Sequence, residues 1–131
     1  MRRILILLLA AASLIAACGG DPEPVTFGEG EIPESVPDDF PIPPGAAIGS
    51  TMVDRVNNRT EFAILVRTDL ETLVQFYTVE LVGAGYIVET SEGGGVGLWE
   101  ISFDRGDLQG TITMTSPAIG VSQAVVSINR S

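Results

Sequence analysis

The chain has 131 residues, of which 45% are hydrophobic, 6% aromatic and 18% charged, and its formal net charge is -10. That is material for one small domain, and it excludes a repeat array, a transporter, a multidomain enzyme and a coiled coil. There is no His, no Lys, and a single cysteine, Cys18, so imidazole and lysine catalysis, internal disulfides and most metal chemistry lack their parts.

Met1, Arg2 and Arg3 open the chain with positive charge, and an apolar run of 12 residues follows over 4–15, broken only by Ser13. A membrane-spanning helix needs about 20 residues, so the pattern predicts an export signal. The run leads into Leu14-Ile15-Ala16-Ala17-Cys18. This stretch resembles the lipobox of bacterial lipoproteins, in which a branched residue and two small ones precede the cysteine that is lipidated and becomes the new N-terminus. The resemblance implies a signal peptide over 1–17, a diacylglycerol on the Cys18 sulfur, and a place in the bacterial cell envelope on the extracytoplasmic side of a membrane. Two acyl chains, at about 0.8 kcal/mol per buried CH2, make a stable anchor. Gly19 follows the cysteine, so the aspartate that resembles an inner-membrane retention signal is absent from that position.

Residues 18–44 read as the lipidated cysteine and an acidic, proline-rich tether. Seven of the chain's eight prolines fall there, with seven acids and no base. Proline density forbids a helix or central strand, and self-repulsion extends the chain. A 26-residue spacer in polyproline geometry would reach roughly 80 Å. Its carboxylates lack the spacing and central glycine of a calcium loop. Loss of the signal leaves five arginines against 17 acids, a balance that disfavours nucleic acid and anionic lipid as partners. The segment Asp38-Asp39-Phe40-Pro41-Ile42-Pro43-Pro44-Gly45-Ala46 mixes bulky apolar side chains with prolines and is expected to lie against the domain. Together with Phe76-Tyr77, Leu81 and Gly85-Tyr86 it resembles a group of small bacterial envelope lipoproteins. In that group a D-x-P-x-P-G-A stretch precedes a strand pair and a helix carrying Phe-Tyr.

Residues 45–131 read as one α+β domain. Runs over 46–56 and 60–68 are β-rich and flank Asn57-Asn58, which suit a tight turn. Phe62, Ile64 and Val66 alternate with Glu61, Ala63 and Arg67, the mark of a strand with one buried face. Thr68 with Glu71 reads as a capping box. At 100° per residue Leu70, Leu73, Val74, Tyr77, Leu81 and Ala84 share one helix face with Phe76 at its edge, and Gly83 and Gly85 stop the helix. Four further strands are expected over 86–92, 96–104, 108–116 and 122–130, with turns at Gly93-Gly94-Gly95, Arg105-Gly106-Asp107 and 117–120. Trp99, Ile101, Phe103, Ile112, Met114, Ala124, Val126 and Ile128 point to the core. The expected architecture is a two-layer sandwich of one helix on a curved antiparallel sheet, in the order ββαββββ. Six strands make a face roughly 29 Å wide and a helix is only about 10–12 Å across, so sheet curl and the segment around Phe40 must supply the remaining cover.

Little in the sequence points to catalysis. Serine chemistry has no base to serve it. Glu89, Glu92, Glu100 and Asp104 lie on adjacent strands, but alternating acids on a solvent face are what any half-buried strand shows. Glu80 flanks the apolar helix face and reads as an edge residue. Glu92-Gly93-Gly94-Gly95-Val96-Gly97 lacks the lysine and following helix of a phosphate loop. Arg105-Gly106-Asp107 has ordinary turn composition, and Thr111, Thr113 and Thr115 are residues that favour strands. Val79 and Val82 turn away from the packed helix face, and Leu65, Ile87 and Leu98 point outward from their strands, which makes these five the expected partner patch.

The expectation is a non-enzymatic, lipid-anchored binding or assembly module that meets an envelope protein or a cell-wall component through its outer sheet face or edge, without cofactor or metal. A small-ligand-binding or sensory domain using the space between helix and sheet is the alternative, and a carboxylate-dependent hydrolase stands third.

Overall fold

The computed structural model describes residues 23–92 and 97–131. Cys18, the expected signal segment and the expected turn at Gly93-Gly94-Gly95 lie outside the described residues. Seven strands and one helix follow one another as β1 (Val25–Glu29), β2 (Ala47–Asp54), β3 (Arg59–Val66), α1 (Leu70–Gly83), β4 (Ile87–Glu92), β5 (Leu98–Arg105), β6 (Leu108–Ala118) and β7 (Val121–Arg130). They form one sheet of order β1-β2-β3-β7-β6-β5-β4, with every neighbouring pair antiparallel. The fold is α+β, and three strands rather than two precede the helix.

The added strand corrects the expectation for residues 18–44. Val25–Glu29 pairs with β2 along its whole length, Val25 opposite Asp54 and Glu29 opposite Ser50. The prolines after it make successive turns instead of an extended spacer. Val36 N–H donates to the Pro33 carbonyl, Phe40 N–H to Pro37 and Ala46 N–H to Pro43. Each turn delivers an apolar side chain inward, and Val36 and Phe40 are buried in the core. Burial of those two side chains, each worth about 1.5–3 kcal/mol, outweighs the polyproline preference and the charge repulsion that favour extension.

Helix α1 starts one residue later than the capping box predicts. Asp69 is the N-cap, with extended φ and ψ, and its carboxylate accepts from Thr72 N–H at 2.9 Å, satisfying one orphan donor of the first turn. The expected face is the observed one: Leu73, Tyr77 and Leu81 are buried, with Leu70, Val74, Phe76 and Ala84 packed beside them. Ala84 is the C-cap, and Gly85 takes φ 92°, a left-handed turn that sends the chain into β4.

The helix lies over β4, β5, β6 and β7. Phe40 extends the cover toward β3, with its ring edge-on to Phe62 at 6.0 Å and tilted over Phe103 at 5.6 Å. Inward residues of the sheet, among them Phe62, Ile64, Ile101, Ile112, Met114, Val126 and Ile128, form one contiguous core with the helix and this segment. A bulge at Gly49-Ser50 lets Ile48 and Thr51 both face inward, opposite Ile64 and Phe62. The core draws side chains from Val36 to Ile128, so one contiguous cluster joins the proline turns, the helix and the sheet.

Candidate functional site

The strand register lays out the sheet's second face. One row across it runs Phe27, Met52, Glu61, Ser127, Thr111, Ser102, Glu89, and another runs Leu65, Gln123, Thr115, Leu98. None of these side chains is buried. The centre of this face is uncharged and hydroxyl-rich, and acids gather toward β4 and β5, where Glu89, Glu100 and Asp104 surround Ser102.

The five residues of the expected patch do not converge. Leu65, 46% exposed, and Leu98 share one row of the bare face, three strands apart. Ile87 sits on the same face at the opposite end, paired with Asp104. Val79 and Val82 are exposed on the helix, and the helix packs on the other side of the sheet. A single apolar patch is therefore replaced by a sheet-face group, Leu65 with Leu98, and a separate helix pair. Among the acids considered for hydrolysis, Glu89, Glu100 and Asp104 are exposed, while the Glu92 side chain is outside the described residues. Arg105 is not displayed at a turn tip, because it points back onto Tyr86 and Asp39.

A feature that sequence reading missed lies at the base of the sheet, where β1 begins. A cleft of about 480 Å³ opens between residues 33–35 and the ends of β2, β3 and β7, and is lined by Arg55, Arg59 and Arg130 with Glu34, Asp54 and Asn58. Arg59 pairs with Glu61 at 2.8 Å. Arg55 donates only to neutral oxygens, the Glu23 carbonyl at 3.1 Å and Thr26 Oγ1 at 3.2 Å. Arg130 donates to the Ser35 carbonyl at 3.1 Å. Among the described residues, neither of these two guanidiniums has a carboxylate within ion-pair distance. The nearby Asp54 carboxylate is turned into its own loop, accepting from Val56 N–H, Asn57 N–H and Asn57 Nδ2, and the Asn57 bonds hold it below the usual carboxylate range. Arg55 and Arg59 flank the Asn57-Asn58 turn and could have been paired from sequence. Nothing in the sequence connects Arg130 to them, because that proximity depends on β3 pairing with β7.

Two more polar groups stand out. The hydroxyls of Tyr77 and Tyr86 are buried and have no hydrogen-bond partner among the described residues, and burial raises both phenols above their ordinary value. Neither tyrosine lines the arginine cleft. Among the described residues no group of three or more Asp, Glu, Cys or His is placed to hold a metal ion, and no helix is long and apolar enough to cross a membrane.

No protein-family model matches the chain, and neither a curated protein nor a solved structure matches it.

Proposed function

We propose that the chain is a lipid-anchored, non-enzymatic binding or assembly module of the bacterial envelope, held through lipid on Cys18 on the extracytoplasmic side of a membrane. The signal and lipobox pattern of residues 1–18 supports the anchor. In this reading the domain is a two-layer sandwich on a curved sheet, with all its cover on one side. The observation that carries it is the contrast between the two sheet faces. One is filled by Phe40, Tyr77, Leu81, Ile112 and Met114, each at 4% exposure or less. The other is bare, uncharged at its centre, and presents Leu65 and Leu98 in one row. A polar, hydroxyl-rich face with a few apolar anchors suits an envelope protein or a cell-wall component. The alternative of a ligand between helix and sheet has less support, since side chains occupy that space.

The test has two readouts. Mass spectrometry of the protein from cells should find cleavage before Cys18 and an acyl-bearing N-terminus, both lost in Cys18→Ser. Cross-linking in intact cells should give a partner that Leu65→Glu abolishes and Val79→Glu leaves in place. A full-length unlipidated chain would overturn the anchor, and a turnover that one Glu→Gln change abolishes would overturn the non-enzymatic reading.

A further inference from the structure

Five arginines follow Cys18, and four of them tie the fold together. Arg55 and Arg130 donate to the Glu23 and Ser35 carbonyls, Arg59 to Ser127 and Glu61, and Arg105 to Asp39 and the Ala84 carbonyl. Arg67 ties nothing. It is exposed just beyond β3 and, among the described residues, has neither a hydrogen-bond partner nor an ion pair.

Arg67 borders a cleft of about 500 Å³ whose walls include Pro44, Ala47, Leu65 and Val121. The strand register explains the grouping. Ala47 pairs with Leu65 and Val66 with Ser122, so Arg67 falls beside Val121 at the start of β7. Alternation turns Ala47, Leu65, Arg67 and Val121 to the bare face of the sheet, and the cleft is a corner of that face. Its volume is that of a small-ligand site. Its walls are apolar, and among the described residues its lining holds one charged side chain and no carboxylate.

The acids closest to Arg67 along the chain are engaged or averted. Asp69 accepts from Thr72 N–H as the helix cap, and Glu71 lies on α1, which packs on the opposite side of the sheet. Glu61, on the same strand, pairs with Arg59 at the far end of β3. Glu29 is on β1, two strand spacings or about 10 Å across from β3, and exposed charges so far apart are largely screened at physiological salt, where the Debye length is about 8 Å.

We infer that this cleft takes the C-terminus of a peptide whose last residue is apolar. The terminal carboxylate offers two oxygens to the guanidinium fork of Arg67, and the last side chain lies on Leu65, Ala47 and Val121. The strands β2, β3 and β7 side by side span about 10 Å, the length of about three extended residues. A membrane acyl chain, which reaches about 15 Å to the middle of a bilayer, overruns that span. From the cleft the row of Gln123 and Thr115 leads across the sheet to Leu98, and its amide and hydroxyl groups suit the donors and acceptors of a peptide backbone. The inference rests on the reading of the bare face as a binding surface and supplies the chemistry of the partner, and it does not depend on the anchor at Cys18.

Fluorescence polarisation on the full chain purified from cells tests it, with a fluorescein-labelled peptide, Gly-Ser-Thr-Ala-Leu, as probe. The free acid should bind at least about tenfold more tightly than the C-terminal amide, the scale of a hydrogen-bonded charge. Arg67→Gln should bring the acid down to the level of the amide and leave the amide unchanged, whereas Leu65→Glu should weaken both. Unlabelled peptide should displace the probe at a lower concentration than octanoate, and the reverse order would overturn the choice of a peptide. No saturable binding of the acid, equal binding of acid and amide, or a preference that survives Arg67→Gln would overturn the inference. Arg67 has no partner to lose, so Arg67→Gln should melt with the native chain; if it does not, the comparison of acid with amide on the native chain decides alone.

Failure of the bare-face reading is seen separately, as a cross-linked partner in cells that survives Leu65→Glu. A partner lost in Leu65→Glu, together with equal binding of acid and amide, keeps the face and overturns the carboxylate.

Discussion

Arg105 and Asp39, separated by 66 residues in the chain, close a two-pronged ion pair in which Nη1 donates to Oδ2 at 2.7 Å and Nη2 to Oδ1 at 3.1 Å. The same Nη1 donates to the Ala84 carbonyl at 2.7 Å, and the guanidinium carbon stands 4.3 Å over the Tyr86 ring. One side chain on β5 thus ties the proline-turn segment to the end of α1. It also places positive charge at the C-terminal end of the helix, where the helix dipole favours it. Fork-to-fork geometry and a stacked ring distinguish this pair from a loose surface contact.

The pair makes the fold acid-sensitive in a defined direction. The hydrogen bond from Arg105 holds the Asp39 carboxyl below its ordinary value, and hydrogen bonds to Thr72 and Asn57 do the same for Asp69 and Asp54. A carboxylate with a depressed folded-state pKa stabilises the fold fully above its unfolded value, near 4, and loses that contribution as pH falls through the folded value. Asp39→Asn should therefore lower Tm at neutral pH by a few degrees, and the gap to the native chain should narrow as pH falls below the unfolded value. Thermal melts of both proteins across this range check the claim. An equal Tm difference at both ends of the range would remove Arg105 as the cause.

Phe40 supports the segment from its other side. It is 4% exposed and lies within 6.3 Å, centroid to centroid, of Phe62, Tyr77, Tyr86 and Phe103. Phe40→Ala should cost about 3–5 kcal/mol, the usual range for a buried aromatic, read as a lower midpoint in urea. An unchanged midpoint would mean that the proline turns rest on the core without contributing to it.

The contrast between Phe40 and Val36 shows where sequence reading stopped. The helix face from Leu70 to Ala84 and the inward sets of β5, β6 and β7 were legible, because periods of 3.6 and 2 persist over several repeats. Phe40 was legible as a covering residue because bulky apolar groups sit next to its prolines. Val36 and strand β1 were not, since composition pointed to a solvated spacer. A signal existed in the repeat Pro33-Glu34-Ser35-Val36 and Pro37-Asp38-Asp39-Phe40, a proline followed at the third position by an apolar residue, which is the spacing of a turn that buries its last member. The partner patch divides between two surfaces for a different reason. Exposure could be read residue by residue, but whether Val79 and Leu65 share a surface depends on which side of the sheet the helix packs. The arginine cleft likewise needed the β3–β7 pairing.

Tyr77 offers a test of the core's interior. Its ring is fully buried and its hydroxyl has no partner among the described residues, and burial alone drives its phenol upward. An unpaired hydroxyl in an apolar core costs free energy that Phe does not incur. Tyr77→Phe should leave the fold at least as stable, with a gain of about 1 kcal/mol. A loss of that size in denaturant unfolding would show that the hydroxyl has a partner, a buried water being the natural one.

Gly110 on β6 carries the sharpest steric demand in the sheet. It faces inward between Ile128 and Phe103, and a Cβ there would collide with the Ser127 carbonyl oxygen and with the Phe103 ring. The missing side chain is the space in which Phe103 lies, with Tyr86 edge-on to it at 5.4 Å and Phe40 above. A ring can shift; a carbonyl inside a paired strand cannot. Gly110→Ala should therefore cost about 3 kcal/mol, the upper part of the range for overpacking, and Gly110→Val should leave little folded protein. Adding Phe103→Leu to Gly110→Ala relieves the ring collision alone, so the double-mutant cycle should show a favourable coupling while stability stays below that of the native chain. Full recovery would assign the whole demand to the ring, and a Gly110→Ala protein that melts with the native one would show that the sheet opens at β6 more readily than its pairing implies.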